Sequence, residues 1–147
     1  FDLEKSHVLS SLIKRFHESK INNLPEIEIW GTGDAQREFL YSGDLVKGLL
    51  FAMENISTED LYEKGFLNIG SDQEISIKDL SFLIKEVVGF EGKIIFDHSK
   101  PEGMKRKILD TSKIKKLGFS CNTPLKEGIE KTYQAYLNLL AKPNPNK

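Results

Sequence analysis

The sequence predicts a mixed α/β fold, because short extended runs alternate with amphipathic helices that begin at capping residues or stop at glycines. Glu26-Ile27-Glu28-Ile29-Trp30 alternates polar and apolar with the period of two that a half-buried strand needs. Ile77, Leu80, Leu83, Ile84, Val87 and Val88 recur instead at helical spacing and end at Gly89. At 147 residues the chain is one domain or a piece of a larger protein, with room for a sizeable core.

The elements follow in order. Residues 6–19 form an amphipathic helix through Val8, Leu9, Leu12, Ile13 and Phe16, with Ser6 available as N-cap. The strand at 26–30 runs into a Gly31-Thr32-Gly33 turn, and residues 37–41 form a second extended segment. From Asp44, the residues Leu45, Val46, Leu49, Leu50 and Met53 give another helix. Gly48 inside it costs up to about 1 kcal/mol relative to Ala, so it should permit close packing. An acidic loop around Glu59, Asp60 and Glu63 leads to a strand at 66–69 that stops at Gly70. Ser76 and Asp79 have capping-box spacing ahead of the clearest helix, and residues 93–96 read as a strand. Asp110 caps a short helix that ends at Gly118. Thr123 and Pro124 suit the N-cap and N1 positions of a last helix carrying Leu125, Ile129, Tyr133, Tyr136, Leu137 and Leu140. Residues 143–147, rich in Pro and Asn, should form a flexible tail.

Lysines and arginines number 21 against 22 aspartates and glutamates, a net charge of −1 that gives no global pull toward nucleic acid or anionic membrane. The longest unbroken apolar run is five residues, at 49–53, far below the roughly 20 that cross a bilayer. The first residues lack the pattern of a signal peptide, and the single cysteine allows no internal disulfide, so a cytoplasmic setting is expected. Three histidines without clustered cysteines argue against structural zinc. The one strong local charge is at residues 100–116, where seven basic residues face two acidic ones. Such a cluster either concentrates phosphate or forms a solvated face; no aromatic is interleaved through 105–116 to stack on single-stranded nucleic acid.

Gly31-Thr32-Gly33 opens like a dinucleotide fingerprint, but the chain then becomes extended where a fingerprint starts a helix, so it reads as a plain turn. No Tyr-x-x-x-Lys pair, P-loop, nucleophile elbow or His-Glu-x-x-His occurs. Local motifs alone leave the activity open.

Several segments in order carry more. They are Ser6-His7-Val8, Arg15-Phe16-His17-Glu18, Trp30-Gly31-x-Gly33, Arg37-Glu38-Phe39-Leu40 and Asn68-Ile69-Gly70, then residues 92–97, Ser99-Lys100-Pro101-Glu102-Gly103, Arg106-Lys107-x-Leu109-Asp110 and Leu117-Gly118. Together, over nearly the whole chain, they resemble the C-terminal part of the GDP-L-fucose synthases, the 3,5-epimerase/4-reductases of the extended short-chain dehydrogenase superfamily. The resemblance implies the C-terminal substrate-binding part of an NAD(P)-binding Rossmann-like fold, with the N-terminal cofactor half absent. It implies a substrate-binding region over 1–142, in which 37–55 and 66–69 pack on the missing Rossmann domain. The implied chemistry converts GDP-4-keto-6-deoxy-D-mannose with NADP(H), the cofactor being bound mainly by the missing half.

The resemblance also implies roles for individual residues. His7 matches a position beside the nicotinamide that serves as acid/base in epimerisation, which suits an imidazole because inverting a carbon next to a ketone needs a proton removed from one face and returned to the other. Arg15 and Arg37 match nucleotide-sugar contacts, and guanidinium forks bind diphosphate oxygens bidentately. Trp30 offers a flat apolar face with one N–H donor. Glu102 stands where the family commonly has Asp, and a carboxylate there could accept hydrogen bonds from ribose or guanine. Lys107 is a weaker phosphate candidate. His17, His98 and Cys121 inherit no role. The implied partners are a GDP-sugar and a second copy in a homodimer, with no nucleic acid and no membrane. The competing expectation is a non-catalytic, truncated module that binds nucleotide sugar or serves in structure or dimerisation.

Overall fold

A computed structural model describes residues 7–57, 59, 65–101 and 103–141. The expected cap at Ser6, Asp60 and Glu63 of the acidic loop, Glu102 and the tail at 143–147 lie outside the described residues.

The element order is α1 (Val8–Ile21), β1 (Glu26–Trp30), β2 (Gln36–Glu38), α2 (Ser42–Asn55), β3 (Glu74–Ser76), α3 (Ile77–Val88), β4 (Lys93–Asp97), β5 (Arg106–Lys107), α4 (Ser112–Lys116) and α5 (Leu125–Ala141). β1 and β4 form a two-stranded parallel sheet in which Glu26 faces Lys93 and Trp30 faces Asp97. The second sheet has the order β3-β2-β5, with β2 antiparallel to β3 and parallel to β5.

One apolar cluster unites the two layers. Leu12, Ile13 and Phe16 of α1 meet Ile27 and Ile29 of β1, Leu80, Ile84 and Val88 of α3, Phe90, and Ile129 and Tyr136 of α5. Apart from Phe90, which follows the helix-ending Gly89, these are positions of the helical and alternating patterns, whereas Val8 and Leu140 of the same patterns are exposed. His17 is also buried, with Nδ1 3.0 Å from the Tyr133 hydroxyl and its ring edge-on to Tyr136; it joins α1 to α5.

The caps behave as their chemistry requires. Ser76 Oγ accepts the Asp79 amide at 2.9 Å and donates to Asp79 Oδ2 at 2.6 Å, and Gly89 ends α3 in the left-handed region at φ 71°. Asp110 Oδ1 accepts the Ser112 amide at 2.9 Å although Thr111 holds the cap position of α4. α5 starts at Leu125, one residue after Pro124, the expected first position, and the Gly128 amide donates to the Pro124 carbonyl at 3.0 Å.

Three sequence expectations change. The strand at 66–69 is absent: residues 66–70 pair with no strand among the described residues, and Asn68 Nδ2 instead donates to the Asp110 carbonyl at 3.0 Å. The extended segment at 37–41 is reduced to Gln36–Glu38, because α2 already begins at Ser42. β3 and β5 were not expected, being three and two residues long. Strands so short show no alternation and exist only through ladder partners distant in sequence.

Candidate functional site

α1 and β1 are consecutive and pack together, and β2 follows β1 after a tight turn, so residues 15, 30 and 37 meet at one place. Arg15, Trp30 and Arg37 line a single cleft of about 380 Å³, together with Val8, Leu12, Ile29, Ile77, Pro101 and Gly103. A groove of about 420 Å³ continues past Arg37 and is lined by His7, Glu38, Phe39, Ile69, Gly70, Lys107 and Leu109; Val8 and Arg37 belong to both. The structure therefore gathers every described candidate residue along one path, with Glu102 outside the described residues.

The electrostatics give this path a direction. On the other side of Arg15 and Trp30 lies a broader hollow of about 750 Å³ whose lining includes Glu18, Glu26 and Glu28. Three carboxylates there repel an anion, whereas Arg37 and Lys107 at the opposite end attract one. Arg15 Nη2 donates to the Glu28 carbonyl. Burial lowers the Arg15 pKa and the Glu28 charge opposes that shift, but a guanidinium titrates so high that it stays cationic. Arg37 Nη1 donates to the Gln36 carbonyl at 2.7 Å, which holds one arm of the fork. A Cβ on Gly103 would stand 3.2 Å from Arg37 Nη2, so the turn approaches the guanidinium this closely with no side chain in between. Trp30 is 61% exposed and Lys100 Nζ lies 5.7 Å from its ring centre, a cation–π contact at the cleft mouth.

The basic stretch at 100–116 is not one continuous patch. Arg106 makes a bidentate pair with Glu74 at 2.9 and 3.0 Å, and Lys115 pairs with Asp72 at 2.8 Å. Lys107 is left facing the groove.

The glycine turn fits no dinucleotide. Gly31 and Gly33 both have φ 81°, and a Cβ on Gly33 would stand 2.7 Å from the Phe96 ring and 3.0 Å from Lys78 Cβ. That space is filled by packing, and the chain goes on into β2 instead of a helix, so the residues present form no pyrophosphate cradle. No group of three or more His, Cys, Asp or Glu residues suited to a metal occurs among the described residues. No described helix is long and apolar enough to cross a membrane. His98 is exposed in a turn, and burial raises the Cys121 thiol pKa, the opposite of what a nucleophile needs.

Sequence reasoning missed Glu38. Its carboxylate accepts the backbone amides of Ser71 and Asp72 on Oε1 and of Leu109 on Oε2, gathering three segments beside the groove. A Cβ on Gly70 would stand 2.2 Å from Glu38 Oε1, which explains that glycine. The only sequence signal was that Glu38 and Gly70 both lie in segments that carry the family resemblance, Arg37-Glu38-Phe39-Leu40 and Asn68-Ile69-Gly70.

The NAD dependent epimerase/dehydratase family matches residues 1–70. A probable GDP-L-fucose synthase 1 of Oryza sativa subsp. japonica is 47% identical over 137 residues, which is 93% of this chain and 40% of the relative. GDP-L-fucose synthase 1 of Arabidopsis thaliana is 44% identical over 137 residues, 93% of this chain and 41% of its own length. Among solved structures, a GDP-L-fucose synthetase from Naegleria fowleri bound to NADP superposes with a TM-score of 0.81 at 27% identity, covering 95% of this chain and 43% of that one. The chain thus spans about 40% of the length of these curated relatives.

Proposed function

We propose that the chain belongs to the NAD dependent epimerase/dehydratase family, whose model matches residues 1–70, and that it forms the nucleotide-sugar side of a GDP-L-fucose synthase-like active site. The observation that carries the proposal is the common path of Arg15, Trp30, Arg37, Lys107 and His7. The substrate of the complete enzyme would be GDP-4-keto-6-deoxy-D-mannose, epimerised at C3 and C5 and reduced at C4.

Each residue has a task in that reading. Arg37 and Lys107 hold the diphosphate, since two cations at one end of the path neutralise its charge in a partly desolvated groove. Arg15 and the open face of Trp30 take the nucleoside end, where acidic neighbours would repel phosphate. Glu102 would accept hydrogen bonds from ribose or guanine. His7 lines the same groove as Arg37 and Lys107, so a sugar attached to that diphosphate would lie against it. Its imidazole serves as the acid or the base at one face of a carbon beside the ketone, and a second group of the complete protein serves the other face. NADPH supplies the hydride in such enzymes; apart from His7 beside the nicotinamide, its binding is assigned to residues outside these 147. The complete protein is proposed to be a cytoplasmic homodimer.

Calorimetric titration of the chain with GDP and with guanosine tests the reading. GDP should bind at least about tenfold more tightly, the scale of one charge-assisted contact. Equal affinities would leave the chain as a structural or dimerising module, a reading that the exposed apolar face of α2 also favours.

A further inference from the structure

We propose that Glu38 is a positioning residue that holds Lys107 in register with Arg37, so that the two cations act as one clamp on a diphosphate. The inference rests on the nucleotide-sugar reading and gives a mechanism to one end of that site.

β5 is two residues long and pairs with β2 only at Gln36 with Arg106 and Arg37 with Lys107. In a parallel ladder residues in register project to the same side, and Arg37 and Lys107 both line the groove. Two like charges side by side repel, and a two-residue ladder is a weak restraint against that force. The ladder ends where Glu38 begins to act. Its Oε2 accepts the Leu109 amide at 3.1 Å, two residues past Lys107, while Oε1 takes the amides of Ser71 and Asp72. One carboxylate thus continues the β2–β5 pairing through its side chain and fastens it to the loop after Gly70. The other end of β5 has its own anchor, since Arg106 is tied to Glu74 of β3. The Lys107 backbone is therefore fixed from both sides, at a position that lines the groove.

Two variants test this in the intact 147-residue chain. Glu38→Gln replaces one acceptor oxygen by an amide NH₂ that cannot accept from a backbone N–H. Gly70→Ala keeps the charge but places a methyl where Oε1 now sits, 2.2 Å away, and so displaces the carboxylate. In Gly70→Ala the amides of Ser71, Asp72 and Leu109, and in Glu38→Gln those that the NH₂ comes to face, should exchange with solvent deuterium at least about tenfold faster, with those of Leu80 and Ile84 unchanged. Inorganic pyrophosphate and GDP should each bind about tenfold more weakly, as with Lys107→Ala, and guanosine as before. Unchanged protection at Leu109 in Gly70→Ala, or an equal loss for guanosine and GDP, would overturn the proposal, as would a native chain that does not bind pyrophosphate. A native chain that binds pyrophosphate through Glu38 yet does not prefer GDP to guanosine would instead sink the nucleotide-sugar reading and leave the clamp standing.

Discussion

Arg37 is half-buried between the cleft and the groove, with one arm of its fork spent on the Gln36 carbonyl and the other beside Gly103. Replacing it by Ala should weaken GDP binding to the chain by about 1.5–3 kcal/mol, the range for a hydrogen bond to a charged group. Calorimetry reads the loss directly, and an unaltered dissociation constant would remove Arg37 from the site. Arg15, Trp30 and Arg37 became candidates only through the segments that carry the family resemblance, whose implied contacts suit a fork for oxygens or a flat ring for stacking. Glu38 was not legible, because its three partners are backbone amides, and two of them, Ser71 and Leu109, lie 33 and 71 positions away. A carboxylate that binds main chain leaves no complementary side chain to be noticed. Gly70 was hidden for the same reason, its purpose being the space it leaves.

At the scale of an element, α2 shows what a helix gains from two buried positions. Asp44 in its first turn is almost fully buried, accepting the Thr123 amide at 2.8 Å and Lys47 Nζ at 3.0 Å. Burial alone would raise its pKa, but these hydrogen bonds and the Lys47 charge outweigh burial and hold it at about 2. A carboxyl depressed in the folded state contributes stability that is complete above its unfolded pKa near 3.9 and is lost as pH falls toward 2. The contribution is on the order of 2 kcal/mol. Asp44→Asn should therefore lower the native chain's stability at pH 7 by about that amount and flatten its decline between pH 4 and 2, as urea unfolding at several pH values will show. Gly48 is the second position. A Cβ there would stand 2.9 Å from the Phe119 ring and 3.0 Å from Ile69 Cγ2. Ala gains up to about 1 kcal/mol in helix propensity, but overpacking costs typically 1–3 kcal/mol. Gly48→Ala should thus be neutral to destabilising by about 2 kcal/mol; a higher urea midpoint would show that Phe119 moves aside freely. The sequence predicted this close packing, since an unsupported glycine in mid-helix needs a reason. It could not name Phe119 and Ile69, which are brought there by loops with no periodicity to read.

For the whole molecule, the distribution of apolar side chains is uneven. α1, β1, α3 and α5 bury theirs in a common cluster, whereas α2 buries only Asp44 and Gly48. Leu45, Val46, Leu49, Leu50 and Met53 follow one another along a face of α2 and are between 39% and 81% exposed. Fully burying such a side chain is worth roughly 1.5–3 kcal/mol, so even half of that over five residues is a substantial drive toward any surface that covers them. We propose that in a longer chain this face packs on the cofactor-binding domain; the 147-residue chain on its own should cover it by self-association. Sedimentation of the purified chain should then show mass rising with concentration, and Leu49→Glu with Leu50→Glu should restore the monomer without unfolding it, because neither side chain contributes to the common core. Deuterium exchange separates the two regions: α2 amides should exchange faster than those of α3 at low concentration, where the monomer dominates, and become protected as the mass increases. A chain that stays monomeric at all concentrations, with α2 as well protected as α3, would mean that Asp44, Gly48 and Phe119 secure the helix without help, and that the exposed stripe seeks no partner.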